Sequence, residues 1–317
     1  MRLRLMVETL PLYNGQTIPT LGLGTYLCPP GKAAASVQAA LEAGYRHFDC
    51  AYAYENEKEI GEALEEGMKR LDIKREDIFV TSKLWCTCMR PERVRKACEK
   101  SLSDLRLSYL DLYLMHWPFA FEPCEGLFPI IKEGDTFGAD YPPLLDTWKA
   151  MEQLVDDGLV RSIGVSNFNH RQIDRILEKC RIRPANLQVE IHANFPNAQL
   201  VKYAQSKGLT VTAHRPLGRP DLATEKTNLL LQPWVTGIAK KHNKTPAQVL
   251  LRWLLQRGII VIPKSVTAAR ITENSKIFDF TLTPDEMEII STSGLNERGG
   301  VVAQMKLHPE YPFNDEF

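Results

Sequence analysis

The feature that most constrains this chain is an alternation of two periods. Short apolar runs rich in β-branched and aromatic residues take turns with stretches whose apolar residues return at helical spacing. The runs that read as strands are Leu21–Gly24, His47–Cys50, Ile78–Ser82, Leu110–Met115, Arg161–Ser166, Leu187–Ile191, Thr210–His214 and Ile259–Pro263. Helical patterns lie between them, among them Ala33–Ala43, Glu57–Lys69, Pro91–Ser103, Leu144–Asp156, Arg171–Lys179 and Leu200–Ser206. Pro91 and Pro246 stand where a first helical turn tolerates proline, and Gly44, Gly158 and Gly208 stand where helices end. Thr283 and Pro284 open a last helix that ends near Ser291. Ahead of all this, Leu10–Tyr13 and Thr17–Thr20 flank Asn14-Gly15 and read as a hairpin.

The strand ends fix the architecture. The residues Gly24, Asp49, Lys83, His116, Ser166, Glu190, His214 and Lys264 follow one another at intervals of 25, 34, 33, 50, 24, 24 and 50. Each interval exceeds the roughly 10–12 residues that a parallel crossover needs. Repeated βα units of this size predict a (β/α)8 TIM barrel within the α/β class. The 317 residues would otherwise suit two domains; on this reading they form one barrel domain, 1–317. The surplus length goes to an N-terminal hairpin (1–20), long loops after strands 4 and 7 (117–143 and 215–232) and a C-terminal tail (295–317). A doubly wound sheet would need a third glycine after Gly22-Leu23-Gly24 at dinucleotide-motif spacing, and none follows.

Charge and cysteine usage bound the setting. Lys and Arg number 39, as do Asp and Glu. A zero balance argues against nucleic acid or an anionic membrane surface as partner. The seven cysteines are odd in number and irregularly spaced, as free thiols in a reducing compartment would be. Met1–Leu10 lacks the apolar stretch of a signal peptide, and no run approaches a membrane span. A cytoplasmic protein is expected.

Polar groups at barrel strand ends call for a reason. Asp49, Lys83 and His116 end successive strands, and Tyr54 follows Asp49 by five residues. Such a set suits proton donation to a carbonyl oxygen. A phenol with a pKa of about 10 donates poorly near neutrality. A neighbouring ammonium lowers that pKa by stabilising the phenolate. Asp49 would pair Lys83, and His116 would aim the carbonyl at the phenol. Taken singly, an Asp or Lys here is more often a loop salt bridge, a His before Trp-Pro a packed core residue, and a Tyr in a loop an amphipathic surface group. A second cluster, Lys264, Ser265, Thr267, Arg270, Glu273 and Asn274, closes the last strand and opens a helix. It could hold a phosphate or be an ordinary solvated helix start. A third, Ser166 and Asn167 with Gln188 and Glu190, could hold a carboxamide or simply cap the next helix. No metal-ligand spacing appears, and no Gly-x-Ser-x-Gly.

These residues carry a resemblance. The motifs Phe48-Asp49-Cys-Ala-Tyr-Ala-Tyr54-Glu-Asn-Glu57, Ser82-Lys83-Leu-Trp85, Asp111-Leu-Tyr-Leu-Met-His116-Trp-Pro118, Gly164-Val-Ser-Asn-Phe168 and Ile262-Pro-Lys-Ser265 resemble the aldo-keto reductase family nearly end to end. Within it the chain most resembles the aldose and aldehyde reductases. The resemblance implies reduction of aldehydes and ketones with NADPH, usually by a monomer. It implies Tyr54 as general acid, Lys83 and Asp49 as its tuning pair, and His116 as substrate orienter. It implies that Thr25, Ser166, Asn167 and Gln188 serve the nicotinamide end. Lys264, Ser265, Thr267, Arg270, Glu273 and Asn274 would serve the adenosine 2′-phosphate and adenine, with Leu217 and Asp221 in a loop over the pyrophosphate.

Two departures stand out. The family's stacking Tyr in the seventh strand is replaced in Ala213-His214-Arg215-Pro-Leu-Gly-Arg219. On this reading His214 supplies the platform, with a charge that would weaken NADP+ binding, and Arg215 and Arg219 add phosphate contacts. Tyr26 stands where relatives carry Trp, and Phe119 where a smaller residue is common. With Trp85, Trp117, Phe121 and Phe128 they make an aromatic pocket wall, which favours hydrophobic carbonyl substrates over sugars. The rival reading is an NADPH-binding regulatory or structural protein that keeps the fold with weak turnover, supported only by His214.

Overall fold

The computed structural model describes residues 8–129, 131–132, 136–315 and 317. Its centre is a sheet of parallel strands: β1 (Leu23–Gly24), β2 (His47–Asp49), β3 (Phe79–Leu84), β4 (Leu112–Met115), β5 (Ile163–Ser166), β6 (Asn186–Glu190), β7 (Thr210–His214) and β8 (Ile259–Val261), paired in that order. The ends meet. Leu21 bridges Val261 in parallel, Gly22 N–H donates to Val261 O at 2.8 Å, and Gly24 N–H donates to Pro263 O at 3.2 Å. The sheet is therefore a closed (β/α)8 barrel. The seam explains Gly22-Leu23-Gly24. A Cβ on Gly22 would stand 2.8 Å from the His47 ring, and one on Gly24 2.6 Å from Ile262 O. These glycines let β1 close against β2 and β8, which is a packing role and not a phosphate turn.

The strand spans match the expected runs within two residues at each end; strand 3 runs to Leu84. Helices α1 (Ala33–Glu42), α2 (Glu57–Leu71), α3 (Pro91–Leu105), α4 (Leu144–Asp156), α5 (His170–Leu177), α6 (Ala198–Ser206), α7 (Pro233–His242), α8 (Pro246–Gln256), α9 (Ala268–Asn274) and α10 (Pro284–Thr292) ring the barrel. Proline opens α3, α7, α8 and α10 at the position where its missing N–H costs nothing. Thr245 with Gln248, and Thr283 with Glu286, form reciprocal caps at the starts of α8 and α10. The cap of α5 is Asn169 with Gln172; Ser166 and Asn167 do not cap it and are left for the barrel mouth.

Period-two alternation sorts the strand residues. Leu112 and Leu114 face the barrel interior with Phe79 and Ile260, whereas Tyr113 and Met115 join the outer core under the helices. The N-terminal hairpin pairs Thr9–Pro11 with Thr17–Pro19, and its Leu12 and Ile18 plug the interior cluster from the bottom. Its connection is a five-residue loop closed by Leu12 N–H to Gln16 O at 2.8 Å, wider than a two-residue turn at Asn14-Gly15. Pro11 ends the first strand early because it has no N–H to give the ladder.

With the bottom plugged, the mouth lies at the C-terminal strand ends. The loop after β4 carries small antiparallel pairs, Ala120–Phe121 with Ala139–Asp140 and Ile131–Lys132 with Thr136–Phe137. Residues 130 and 133–135 of that loop, and residues 1–7, lie outside the described residues. The 50-residue interval after β7 holds the extra helix α7 as well as a loop. The tail after α10 makes two single 3-10 turns, Ala303–Met305 and Pro312–Asn314, and crosses toward α5.

Candidate active site

The same alternation that aims Leu114 inward aims the next inward residues, Asp49, Lys83 and His116, into the mouth. Tyr54 arrives on a 3-10 turn, Tyr52–Tyr54, that follows β2. Lys83 is fully buried. Its Nζ donates to Asp49 Oδ1 at 2.6 Å, to Cys50 O at 2.8 Å and to Tyr54 Oη at 3.2 Å. An ammonium has three protons, so all three are used. Gln188 Nε2 donates to Asp49 Oδ2 at 2.6 Å. Thr25, expected at the cofactor, spends its hydroxyl on Asp49 O at 2.8 Å.

Protonation follows from this wiring. Burial by itself would lower the pKa of Lys83, but Asp49 and Tyr54 outweigh it and push the value up, so the ammonium stays charged. Burial pushes the Tyr54 phenol up to about 12, with Lys83 pulling the other way. The sequence argument expected a net lowering. Desolvation wins in the resting protein, so Tyr54 is a neutral phenol with a cation already in place for its conjugate base. His116 is held neutral by burial first and by Lys83 second. Its ring lies 5.8 Å from that of Tyr54 and 5.1 Å from that of Trp85, and its Nδ1 has no partner among the described residues.

At the next strand ends, Asn167 takes a positive φ of 61° and turns its amide inward. Its Nδ2 donates to His116 O at 3.0 Å and Ser166 Oγ at 3.2 Å. Its Oδ1 therefore accepts from His214 Nε2 at 3.1 Å. His214 is not a cation. Burial lowers its pKa to about 3, and Glu190 offsets only part of that. The expected charge against an oxidised ring is thus corrected to a neutral, fixed imidazole. Glu190 is also not a carboxamide ligand: its carboxylate accepts from Gly299 and Gly300 of the tail. Arg215 turns toward that carboxylate, at 4.0 Å, and Arg219 pairs with Asp221 through two bonds of 3.1 Å.

Lys264 and Arg270 are exposed, and among the described residues no carboxylate pairs with either. Lys264 adds to the lowering of the Asp221 pKa that Arg219 begins, which sets the loop after β7 opposite the end of β8. Leu217, half-buried, packs that loop against the core. Ser265 Oγ accepts from Thr267 N–H at 3.2 Å, Glu273 accepts from Thr245 Oγ1 at 3.0 Å, and Asn274 is buried.

Over the corner stands an aromatic wall. Tyr26 lies with its ring 5.0 Å from Tyr54, and Phe128 with its ring 5.6 Å from Trp85. Both are exposed to the mouth. Trp85 Nε1 donates to Leu127 O at 2.6 Å, which ties β3 to the loop after β4. Phe119 is fully buried, stacked on Trp117 at 5.2 Å and on Tyr311 at 6.4 Å. It supports the wall from behind and offers no open face. Sequence reasoning did not find Val302, Met305, Tyr311 and Phe313, which the tail brings to this cluster. No local signal marks them, because the wall residues they meet are more than 160 positions away in the chain.

Among the described residues no group of His, Cys, Asp and Glu is arranged to hold a metal ion, and no helix is long and apolar enough to cross a membrane. The model of the Aldo/keto reductase family matches residues 20–293. The chain is 50% identical to aldo-keto reductase family 1 member A1 of Gallus gallus, over 96% of this chain and 97% of that one. It is 48% identical to the protein of that name from Homo sapiens, over 96% and 98%. The solved structure of the aldose reductase from Schistosoma japonicum is 59% identical and superposes with a TM-score of 0.93, over 98% of this chain and 100% of that one. Barrel, corner and sequence agree, and the chain belongs to the aldo/keto reductase family.

Proposed function

We propose that this protein reduces aldehydes and ketones to alcohols with NADPH, and that the Asp49–Tyr54–Lys83–His116 corner performs the proton transfer. The observation that carries the reading is the Tyr54 hydroxyl, still protonated, 3.2 Å from a fully buried ammonium. The groups around the mouth suit the cofactor. Gln188 has given its amide nitrogen to Asp49 and keeps its carbonyl oxygen for a ligand, and the neutral His214 offers a ring face at the end of β7. Lys264 and Arg270 place two exposed cations at the end of β8, without a carboxylate partner among the described residues, the charge a 2′-phosphate needs. Ser265, Thr267, Glu273 and Asn274 surround them. Asp221, Arg219 and Leu217 belong to the loop that would cover the pyrophosphate. When bound, NADPH supplies the hydride for the carbonyl carbon.

The chain's own residues do the rest. His116, neutral and with its proton on Nε2, donates to the carbonyl oxygen and turns it toward Tyr54. Tyr54 gives that oxygen its proton. Lys83 stabilises the phenolate left behind, and Asp49 and Cys50 O keep Lys83 from following the charge. Gln188 holds Asp49 in turn. A low-dielectric corner makes this ammonium worth more than it would be in water. The wall of Tyr26, Trp85, Trp117 and Phe128 suits apolar carbonyl compounds, with Phe119 behind it. Every group of the corner comes from one chain, which supports action as a monomer. All seven cysteines are free, which suits the cytoplasm.

The test is Tyr54→Phe. Carbonyl-dependent NADPH oxidation should fall by about 10²–10⁴-fold, the usual worth of a general acid, while NADPH still binds. Undiminished turnover would overturn the assignment and favour the rival reading of a binding protein.

A further inference from the structure

The Glu190 side chain, buried at the end of β6, is engaged entirely away from the reacting corner. Its Oε1 accepts from Gly299 N–H at 2.9 Å and its Oε2 from Gly300 N–H at 2.6 Å. His192 Nε2 lies 2.9 Å from Oε1; a carboxylate can only accept, so that nitrogen carries the proton. Two consecutive backbone amides converging on one anion make a nest, here filled by the protein's own carboxylate. Glycine is needed for the approach. A Cβ on Gly300 would stand 2.7 Å from both Glu190 Oε2 and Arg215 Nη1. Arg215, part of the departure at strand 7, lies 4.0 Å from the same oxygen and adds a cation to the joint.

This joint holds the near end of the tail. The far end is held separately: Glu310 pairs with Arg175 at 2.8 Å, Asp315 with Arg171 at 3.1 Å, and His308 Nε2 contacts Asp140 O at 3.0 Å. Between the two anchorages run Val302 and Met305, which join the cluster around Trp85 and Phe119. The far anchor joins half-exposed ion pairs to bonds from Asn169 and Gln172; the near one combines the buried Glu190 carboxylate with Asn194, whose O accepts from Glu297 N–H at 2.7 Å. Burial alone would raise the Glu190 pKa, but the hydrogen bonds from His192 and the Gly299 amide bring it below the ordinary carboxylate value, so the group stays ionised.

We infer that Glu190 is a positioning residue for substrate choice: by clamping Gly299 and Gly300 it sets where the tail's Val302 and Met305 close the aromatic wall over a bulky apolar carbonyl substrate. The inference rests on the reductase reading above and adds to it a residue that touches neither the corner nor the cofactor cations. A small aldehyde reaches Tyr54 and His116 without the tail; a fused-ring aldehyde needs the wall. Substrate size therefore separates the clamp from the chemistry.

The experiment compares wild type, Glu190→Gln and Gly300→Ala with propanal and with 2-naphthaldehyde, alongside NADPH affinity and amide hydrogen exchange of the tail. Glutamine keeps one acceptor and sets an N–H against an N–H at the other. For each variant we expect KM for 2-naphthaldehyde to rise by about five- to tenfold, the scale of one net hydrogen bond lost. The kcat, the propanal kinetics and the NADPH Kd should stay within twofold, and exchange should quicken in residues 299–305. Glu190→Asp, which keeps the charge, should recover part of the loss. Equal changes for the two aldehydes, a matching change in NADPH Kd, or unchanged exchange would overturn the inference. If the wild type oxidises NADPH with neither aldehyde, the reductase reading fails; the exchange result still decides the clamp.

Discussion

The reacting corner and the wall above it are built on opposite principles. In the corner, polar groups from β2, β3 and β6 saturate one another: three protons of Lys83 meet three acceptors, and Asp49 receives both Lys83 and Gln188. The wall is apolar and composite. Trp85 follows β3, Phe121 and Phe128 come from the loop after β4, and Met305 and Tyr311 from the tail. Corner geometry is fixed by strand register, a rigid frame. Wall geometry is fixed by how well three separate segments pack. Chemistry should therefore be brittle to single changes in the corner, and substrate range should be tunable in the wall.

The largest effect should come from breaking the corner. Lys83→Met removes the ammonium and leaves Asp49 buried without its partner. Turnover should fall by at least about 10²-fold. Thermal or urea unfolding should show a loss of about 3–5 kcal/mol, as for a buried pair deprived of one member. Stability unchanged in this variant would mean that the pair is not desolvated as described.

Phe121→Ala tests the wall. The side chain is fully buried, with its ring 5.7 Å from Trp85 and 5.3 Å from Phe137. Its loss should cost about 3–5 kcal/mol of stability. Unlike Lys83→Met, it should leave kcat for a small aldehyde nearly intact and raise KM for an aromatic one. Equal losses with both substrates would erase the distinction between the two regions.

The smallest effect sharpens the boundary between them. Desolvation of the half-buried His214 ring lowers its pKa to about 3 in the folded chain, against an ordinary 6.5. The unfolded chain takes up that proton first. The site's contribution to stability is thus intact above pH 6.5 and is lost as pH falls toward 3. His214→Tyr should make the acid limb of the stability curve shallower. The ratio of its NADP+ Kd to that of wild type should stay flat from pH 8 to pH 5. A ratio that changes near pH 6.5 would show that the imidazole is charged after all.

Legibility followed the same divide. The strands and Asp49, Lys83 and His116 at their ends could be read because period-two alternation and crossover spacing are local. The hairpin was read with too tight a turn, since Pro11 ends its first strand early. The sign of the Tyr54 shift was missed because a motif shows that a lysine is near but not how little water remains. His214 was given a charge for the same reason. Glu190 was grouped with Gln188 because both point into the barrel; only the tail's approach shows that Glu190 reaches up to Gly299 and Gly300 instead.

The sequence by itself determined the barrel, the presence of an N-terminal hairpin and the polar residues at the strand ends, because each depends on periodicity and on residue type at strand termini. Tertiary structure alone decided the protonation states, the seam at Gly22 and Gly24, the support given by Phe119 and the course of the tail. Those depend on desolvation and on contacts between segments far apart in the chain, for which a linear pattern carries no distance.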